Sequence, residues 1–323
     1  MDKHLLTEIE IKDFKCFKDF KADGFKRVNL IGGKNNVGKT AFMEACYVNV
    51  SSSIIDKFAK SIVSLSLVRN VIEYVRQENI KTREYHLEKV EHYNTLSNIH
   101  KLEFKINYKD GKKEYYFEID NKIIIINANE FSFLDRNNLK NEIFLANLNI
   151  PNRMLITFYG KIQETHQEAS LDKYINNFDE NIIGFKIIGG DKPQCETVDG
   201  VYRDINEFGD GLKHYISIIC ALYACENGYL FIDEIDNGIH YTQQDKLWEI
   251  ILETSKKLHV QVFATTHSKE CIESYARVAK KLEDKDTSYI KMTRLNDGSI
   301  KAGVRDYDML QDSMDDNHEV RGW

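Results

Sequence analysis

Residues 28–45, VNLIGGKNNVGKTAFMEA, decide the reading of this chain. A short apolar run ends in two glycines, and from Gly33 the pattern G-x-x-x-x-G-K-[ST] is complete through Thr40. The spacing has a physical cause. Glycines let the backbone wrap a phosphate with its N–H groups turned inward, and the helix that follows adds the positive end of its dipole. An apolar strand before the loop and the helical AFMEACYVNV after it are the setting of a phosphate cradle, not of a plain glycine-rich turn. The candidate cradle is Gly33, Lys34, Asn35, Asn36, Val37, Gly38, Lys39, Thr40 and Ala41. In it Lys39 reaches the β- and γ-phosphates and Thr40 places a hydroxyl on Mg²⁺.

Two later stretches fit that cradle. In GYLFIDEIDNGIH (228–240) an apolar strand delivers Asp233 and Glu234 to its C-terminal end, where ligands sit in open α/β sheets. Asp233 is the candidate metal-holding acid, and Glu234 the group that orients and deprotonates an attacking water. A strand ending in two acids is weak alone and strong behind a phosphate loop. In VQVFATTHS (260–268) the next strand ends in Ala264, Thr265, Thr266 and His267, so His267 emerges at the same sheet edge. A contact to the γ-phosphate is the expected task of His267, with Ser268 capping the helix that follows.

Around these stretches the chain alternates helix and strand, which points to a mainly parallel sheet. TEIEIKDFKCFKDF reads as one or two strands. Phe58, Ile62, Leu65, Val68, Ile72 and Val75 recur at helical spacing, so residues 52–100 read as an amphipathic helical insertion. KLEFKINY, KEYYFEI and KIIIIN, within residues 101–128, form a strand meander across KDGK and DN turns. Residues 137–148 and 158–177 read as helical with NRMLIT between them as a short strand, and ENIIGFKII as a further strand. SYIKMTRL and SIKAGVR make a last hairpin. With only Pro151 and Pro193 as prolines and no linker, the 323 residues read as one domain.

The composition is 42% hydrophobic and 29% charged, which supports a sizeable core and argues against disorder. A net charge of −7 argues against a surface coated for non-specific nucleic-acid binding. Six scattered cysteines without a CxxC pair read as buried thiols, and neither a leader-like start nor a membrane-length apolar run is seen. The expectation is a cytoplasmic protein.

The combination of IKDFKCFKDF, VNLIGGKNNVGKTAFMEA, FGDGLK, LFIDEIDNGIHYT and QVFATTHSKECIES resembles the ABC-type ATPase heads. Within them it is most similar to the OLD (overcoming lysogenisation defect) branch and its single-domain relatives, the AAA-family ATP-binding proteins. The resemblance covers the first forty-odd residues and most of 206–276. It implies an α/β P-loop NTPase head with an antiparallel lobe and a helical insertion. The cofactors would be ATP and Mg²⁺, and the catalytic residues Lys39, Glu234 and His267. It also implies a homodimer or higher even oligomer, in which each nucleotide lies between one protomer's loop and the other's signature segment.

By position that segment is EFGDGLKHY (207–215), within a signature, Walker B and histidine-switch region at 204–282. It departs from the LSGGQ form. Gly209 and Gly211 would face the anion, the serine is missing, Asp210 would turn away to cap the helix, and Lys213 is a candidate positive contact. Gln163 is the nearest glutamine to a Q-loop, though it falls in a helical stretch. Lys15 and Phe17 stand where such heads contact the base or phosphates, but a strand aromatic suits the core equally well. Full-length OLD proteins carry a TOPRIM nuclease domain. Only about forty residues follow the TTHS helix here, so no DNA cleavage is expected. The resemblance leaves two functions open. One is an ATPase that controls a separate effector protein, plausible in phage defence; the other is an SMC/RecF-like ATP-gated DNA clamp. Lys57, Lys60, Arg69, Arg76, Lys81 and Arg83 on the insertion would give the clamp a basic surface, which nearby Glu73, Glu78 and Glu84 weaken. No guanine-recognition motif is visible, so ATP is preferred to GTP.

Overall fold

The computed structural model describes residues 5–51, 61, 102–109, 112–119, 122–127, 142–146 and 150–315. Nearly all of the helical insertion expected at 52–100, with its basic residues, lies outside them, as does the EVRGW terminus.

The first expected strand pair is a hairpin, β1 (Glu8–Phe14) and β2 (Phe17–Asp23), with Lys15 at positive φ in its tight turn. Then come β3 (Val28–Gly32) and α1 (Lys39–Ser51). The meander forms a separate antiparallel sheet of β4 (Leu102–Lys109), β5 (Lys112–Ile119) and β6 (Lys122–Asn127). β7 (Glu142–Leu145), α2 (Asn152–Glu164) and α3 (Glu168–Phe178) precede a second antiparallel sheet. That sheet contains β8 (Ile182–Ile188), β9 (Lys192–Thr197) and β10 (Tyr202–Asp204). The alternating half follows: α4 (Asp210–Ala224), β11 (Tyr229–Ile232), α5 (Tyr241–Leu258), β12 (Gln261–Thr265) and α6 (Lys269–Lys281). The hairpin β13 (Thr287–Arg294) and β14 (Ile300–Asp306) and α7 (Tyr307–Asp315) close the described chain.

The core sheet runs β14-β13-β3-β12-β11-β7. From β13 to β7 every pairing is parallel, and β14 alone is antiparallel. Every residue of β3 and β12 is buried, which is why both read as nearly continuous apolar runs: both faces of the sheet are covered. The period-2 alternation of strands divides the core in two. Leu230, Ile232, Val262 and Ala264 pack with α4, α5 and α6, while Phe231 and Phe263 pack with α1 and the β1–β2 hairpin. This is a P-loop NTPase fold with a mainly parallel sheet and antiparallel lobes.

Two sequence expectations fail between 137 and 164. The stretch read as helical contains β7, an edge strand parallel to β11. NRMLIT, read as a strand, is the first half of α2. Four residues, EIFL, are too short for their own periodicity, so β7 is set by its pairing with β11. For α2 the signal was present. Pro151 precedes the first turn, and Leu155, Phe158, Tyr159 and Ile162 are buried at helical spacing.

Candidate active site

Strand order builds the site. β12 lies between β3, which carries the phosphate loop, and β11, which carries the acids. Its C-terminal residues therefore touch both neighbours. The Thr266 amide donates to the Ile31 carbonyl (3.0 Å), and the Ile235 amide donates to the Thr265 carbonyl (3.0 Å).

The loop after β3 is held open by backbone geometry that glycine permits. Gly33 has φ 144° and Gly38 φ 90°. At Gly38 a Cβ would come within 2.8 Å of Cys16 Sγ and 3.3 Å of Ile300 Cδ1, so the β1–β2 turn and β14 close tightly over the loop. Lys39 Nζ donates to the carbonyls of Gly33 (2.9 Å) and Lys34 (3.0 Å), folding back across the cradle. Burial pulls its pKa below the ordinary lysine value against the opposing pull of Asp233, Glu234 and Asp236.

Thr40 Oγ1 lies 3.1 Å from both carboxylate oxygens of Asp233. Asp233 also accepts a 2.6 Å bond from Thr265 Oγ1, and that hydroxyl accepts from the Glu234 amide at 2.8 Å. Asp233 is only 8% exposed, and burial raises its pKa despite the two hydroxyls and Lys39. Glu234 is raised too, first by burial and then by the neighbouring Asp233 charge. It stands at φ 52°, a left-handed conformation, two residues past the end of β11. Thr266 Oγ1 donates to Asp236 at 2.7 Å, and Ser268 caps α6 as expected, accepting from the Cys271 amide at 3.1 Å.

These groups share one cavity of about 590 Å³. Its floor is Gly38, Lys39, Thr40 and Ala41, and its acid wall is Asp233, Glu234 and His267. Asn35 and Asn36 form the loop rim. Three candidates lie behind it. Gly33 and Lys34 take part through carbonyls that hold Lys39, and the Val37 side chain is buried in the core.

Outside the loop the structure decides between the readings that the sequence left open for Phe17 and Gln163, and corrects those of Lys15, Asp210 and Lys213. Phe17 is buried against Phe20 and does not reach the cavity, while Lys15 is paired with Glu44 on α1. Asp210 does not cap α4. Gly209 is the N-cap, at φ 81°, without a side-chain cap bond. Lys213 is neither in solvent nor aimed at an anion, because it is 7% exposed and donates to Asn206 Oδ1 at 3.0 Å. Gln163 is an exposed residue of α2 that does not line the cavity. Gly211 has an unexpected task. A Cβ there would lie 2.0 Å from the Gly238 carbonyl oxygen, so the start of α4 packs backbone to backbone on the loop that begins at Glu234.

Sequence reasoning missed two residues. Thr265 appeared only as a strand end, yet its buried hydroxyl bridges both acids. Arg294, at the end of β13, lines the cavity and donates to the Asn36 carbonyl at 3.0 Å. Replacing Thr265 by Val is expected to cost about 1–3 kcal/mol in urea unfolding, since it removes the hydroxyl that accepts from the Glu234 amide and donates to buried Asp233. Thr265→Ser keeps the hydroxyl and should recover most of that loss.

Thr40 and Asp233 suit Mg²⁺. Among the described residues no cluster of three acidic, His or Cys side chains could cage a metal. A hydroxyl and one carboxylate leave the remaining positions to waters and substrate phosphates, which is how Mg²⁺ prefers to be held.

Residues 148–272 match the family model of the AAA ATPase domain. The chain is 26% identical to an ATP/GTP phosphatase of Helicobacter pylori, over 85% of this chain and 89% of that protein. Among solved structures it is similar to the SMC head domain from Thermotoga maritima, at 13% identity and TM-score 0.44, covering 92% of this chain and 98% of that one. It is also similar to an Smc head domain bound to the C-terminal domain of ScpA derived from Pyrococcus furiosus. There the identity is 10% and the TM-score 0.49, over 96% of this chain and 98% of that one. No described helix is long and apolar enough to cross a membrane. The phosphate loop with its two acids, on a P-loop NTPase fold whose residues 148–272 match the AAA ATPase domain, makes this chain an ATPase.

Proposed function

We propose that the chain is an ATP-driven switch that binds ATP at the β3–α1 loop and hydrolyses it with Glu234. In its ATP state it closes on a second copy and signals to a separate partner protein. The observation that carries this reading is the hydrogen-bonded set Thr40–Asp233–Thr265–Glu234, facing Lys39 across one cavity. The loop amides and Lys39 would hold the β- and γ-phosphates. Mg²⁺, when bound at Thr40 and Asp233, would neutralise charge on the phosphate oxygens. Glu234 would orient the attacking water and take its proton, and His267 on the same wall would meet the γ-phosphate.

Two features support closure on a second copy. Glu207, Gly209 and Asp210 are exposed at the start of α4, whose N-cap is a glycine, so no side chain covers the first amides of the helix. In addition, the Gly211–Gly238 contact ties this start to the loop carrying Glu234, so an anion met there would be felt at the acid. The partner and a role in phage defence rest on the OLD resemblance and on no residue of the site.

Lys39→Ala is the test. It should weaken ATP binding at least about 10-fold and abolish turnover, because the γ-phosphate loses a partly buried charge-assisted contact. Unchanged ATP binding and phosphate release in this variant would remove the assignment.

A further inference from the structure

The acid wall fixes which way a nucleotide lies. With the γ-phosphate toward Glu234 and His267, the nucleoside falls to the other lining residues, among which Cys16 and Arg294 are neighbours. That part of the wall is built by the β1–β2 turn and the β13–β14 hairpin, which meet over Gly38. Among the described residues no Phe, Tyr or Trp lines the cavity; Phe17, the aromatic nearest in sequence, is buried beneath Gly38, its Cζ 3.2 Å from where a Cβ there would stand. A base would thus arrive at a wall without an aromatic face.

Arg294 supplies a flat group there. It is exposed, and it pairs with no carboxylate among the described residues. Its Nη2 donates to the Asn36 carbonyl at 3.0 Å and its Nη1 to the Gly298 carbonyl at 3.3 Å. Guanidinium N–H groups lie in the plane of the group, so these bonds occupy the edge and leave the face free. They also hold the plane at the loop rim before any ligand binds, which lowers the ordering cost of a stack.

We propose that Arg294 is the nucleoside-binding residue of this site, stacking its guanidinium face on the base while the Asn36 and Gly298 carbonyls hold its edge. The proposal rests on the nucleotide reading and deepens it. It also predicts little discrimination between bases, because every base has a π-face and the stack does not read the edge.

Calorimetric titration of ATP, GTP and inorganic tripolyphosphate into the wild type, Arg294→Ala, Arg294→Lys and Lys39→Ala tests it. Arg294→Ala should weaken ATP and GTP alike by about 10-fold and leave tripolyphosphate unchanged. Arg294→Lys, which keeps the charge and loses the plane, should behave like Ala. Unchanged ATP affinity in Arg294→Ala would overturn the proposal. So would equal weakening of ATP and tripolyphosphate, which would make Arg294 a phosphate or loop contact, and so would a loss confined to one base. Lys39→Ala separates the two levels. If it loses tripolyphosphate, the phosphate-loop reading stands whatever Arg294 does; if it binds every ligand as the wild type does, that reading fails and the proposal with it.

Discussion

Glu234→Gln is expected to lower ATP turnover about 10²- to 10⁴-fold while ATP stays bound. Gln matches the size of Glu and leaves the backbone bond to Thr265 in place, so the loss comes from chemistry and not from folding. What disappears, on the proposed mechanism, is the base that takes a proton from the attacking water. The wild type should also show an acid limb in kcat/KM that the variant lacks. Burial and the Asp233 charge hold the Glu234 carboxyl above the ordinary range, and the base works only when ionised. Activity should therefore fall with decreasing pH before the value of a free Glu, about 4.3, is reached. Single-turnover phosphate release across pH measures both effects. Undiminished turnover in Glu234→Gln would assign the base elsewhere.

Gly211→Ala should be the most damaging single methyl in the chain's second half. Its Cβ would stand 2.0 Å from the Gly238 carbonyl oxygen, a backbone atom that cannot swing aside. We expect about 1–3 kcal/mol of lost stability, as for other overpacked sites. Turnover should fall by more than the stability loss explains, because the displaced loop runs back to Glu234. Gly209→Ala is the comparison. It has open space but stands at φ 81°, so its cost is the conformational one, about 1–2 kcal/mol. Denaturation midpoints and ATP turnover for the pair separate crowding from strain. Equal effects in both variants would mean that the α4–Gly238 contact does not transmit to the site. Larger residues at 211 would break this contact before they reported on dimerisation.

The parts of the site legible in the sequence are those that one short segment defines. Asp233 and Glu234 directly follow buried β11, and Lys39 and Thr40 open α1 after the loop that leaves buried β3; the end of a strand is where the chain leaves the sheet for the ligand. His267 followed from the same logic one strand over. Thr265 and Arg294 were invisible for the opposite reason. Each matters through a neighbour in the sheet: β12 beside both β3 and β11 makes Thr265 a bridge, and β13 beside β3 brings Arg294 to Asn36. Strand order is a tertiary property that spacing along the chain does not encode. β7 was missed likewise, since four edge residues take their conformation from pairing with β11. Lys213 and Phe17 show the converse. Both types are common at ligand sites, and here both are drawn inward by local packing.

The central claim is that ATP held at this site closes two copies of the chain on each other. The most direct measurement is the solution mass of the Glu234→Gln variant, by light scattering, with Mg²⁺ and either ATP or ADP. The prediction is a doubled or larger even-numbered mass with ATP and the unliganded mass with ADP. An unchanged mass with ATP fully bound would contradict it.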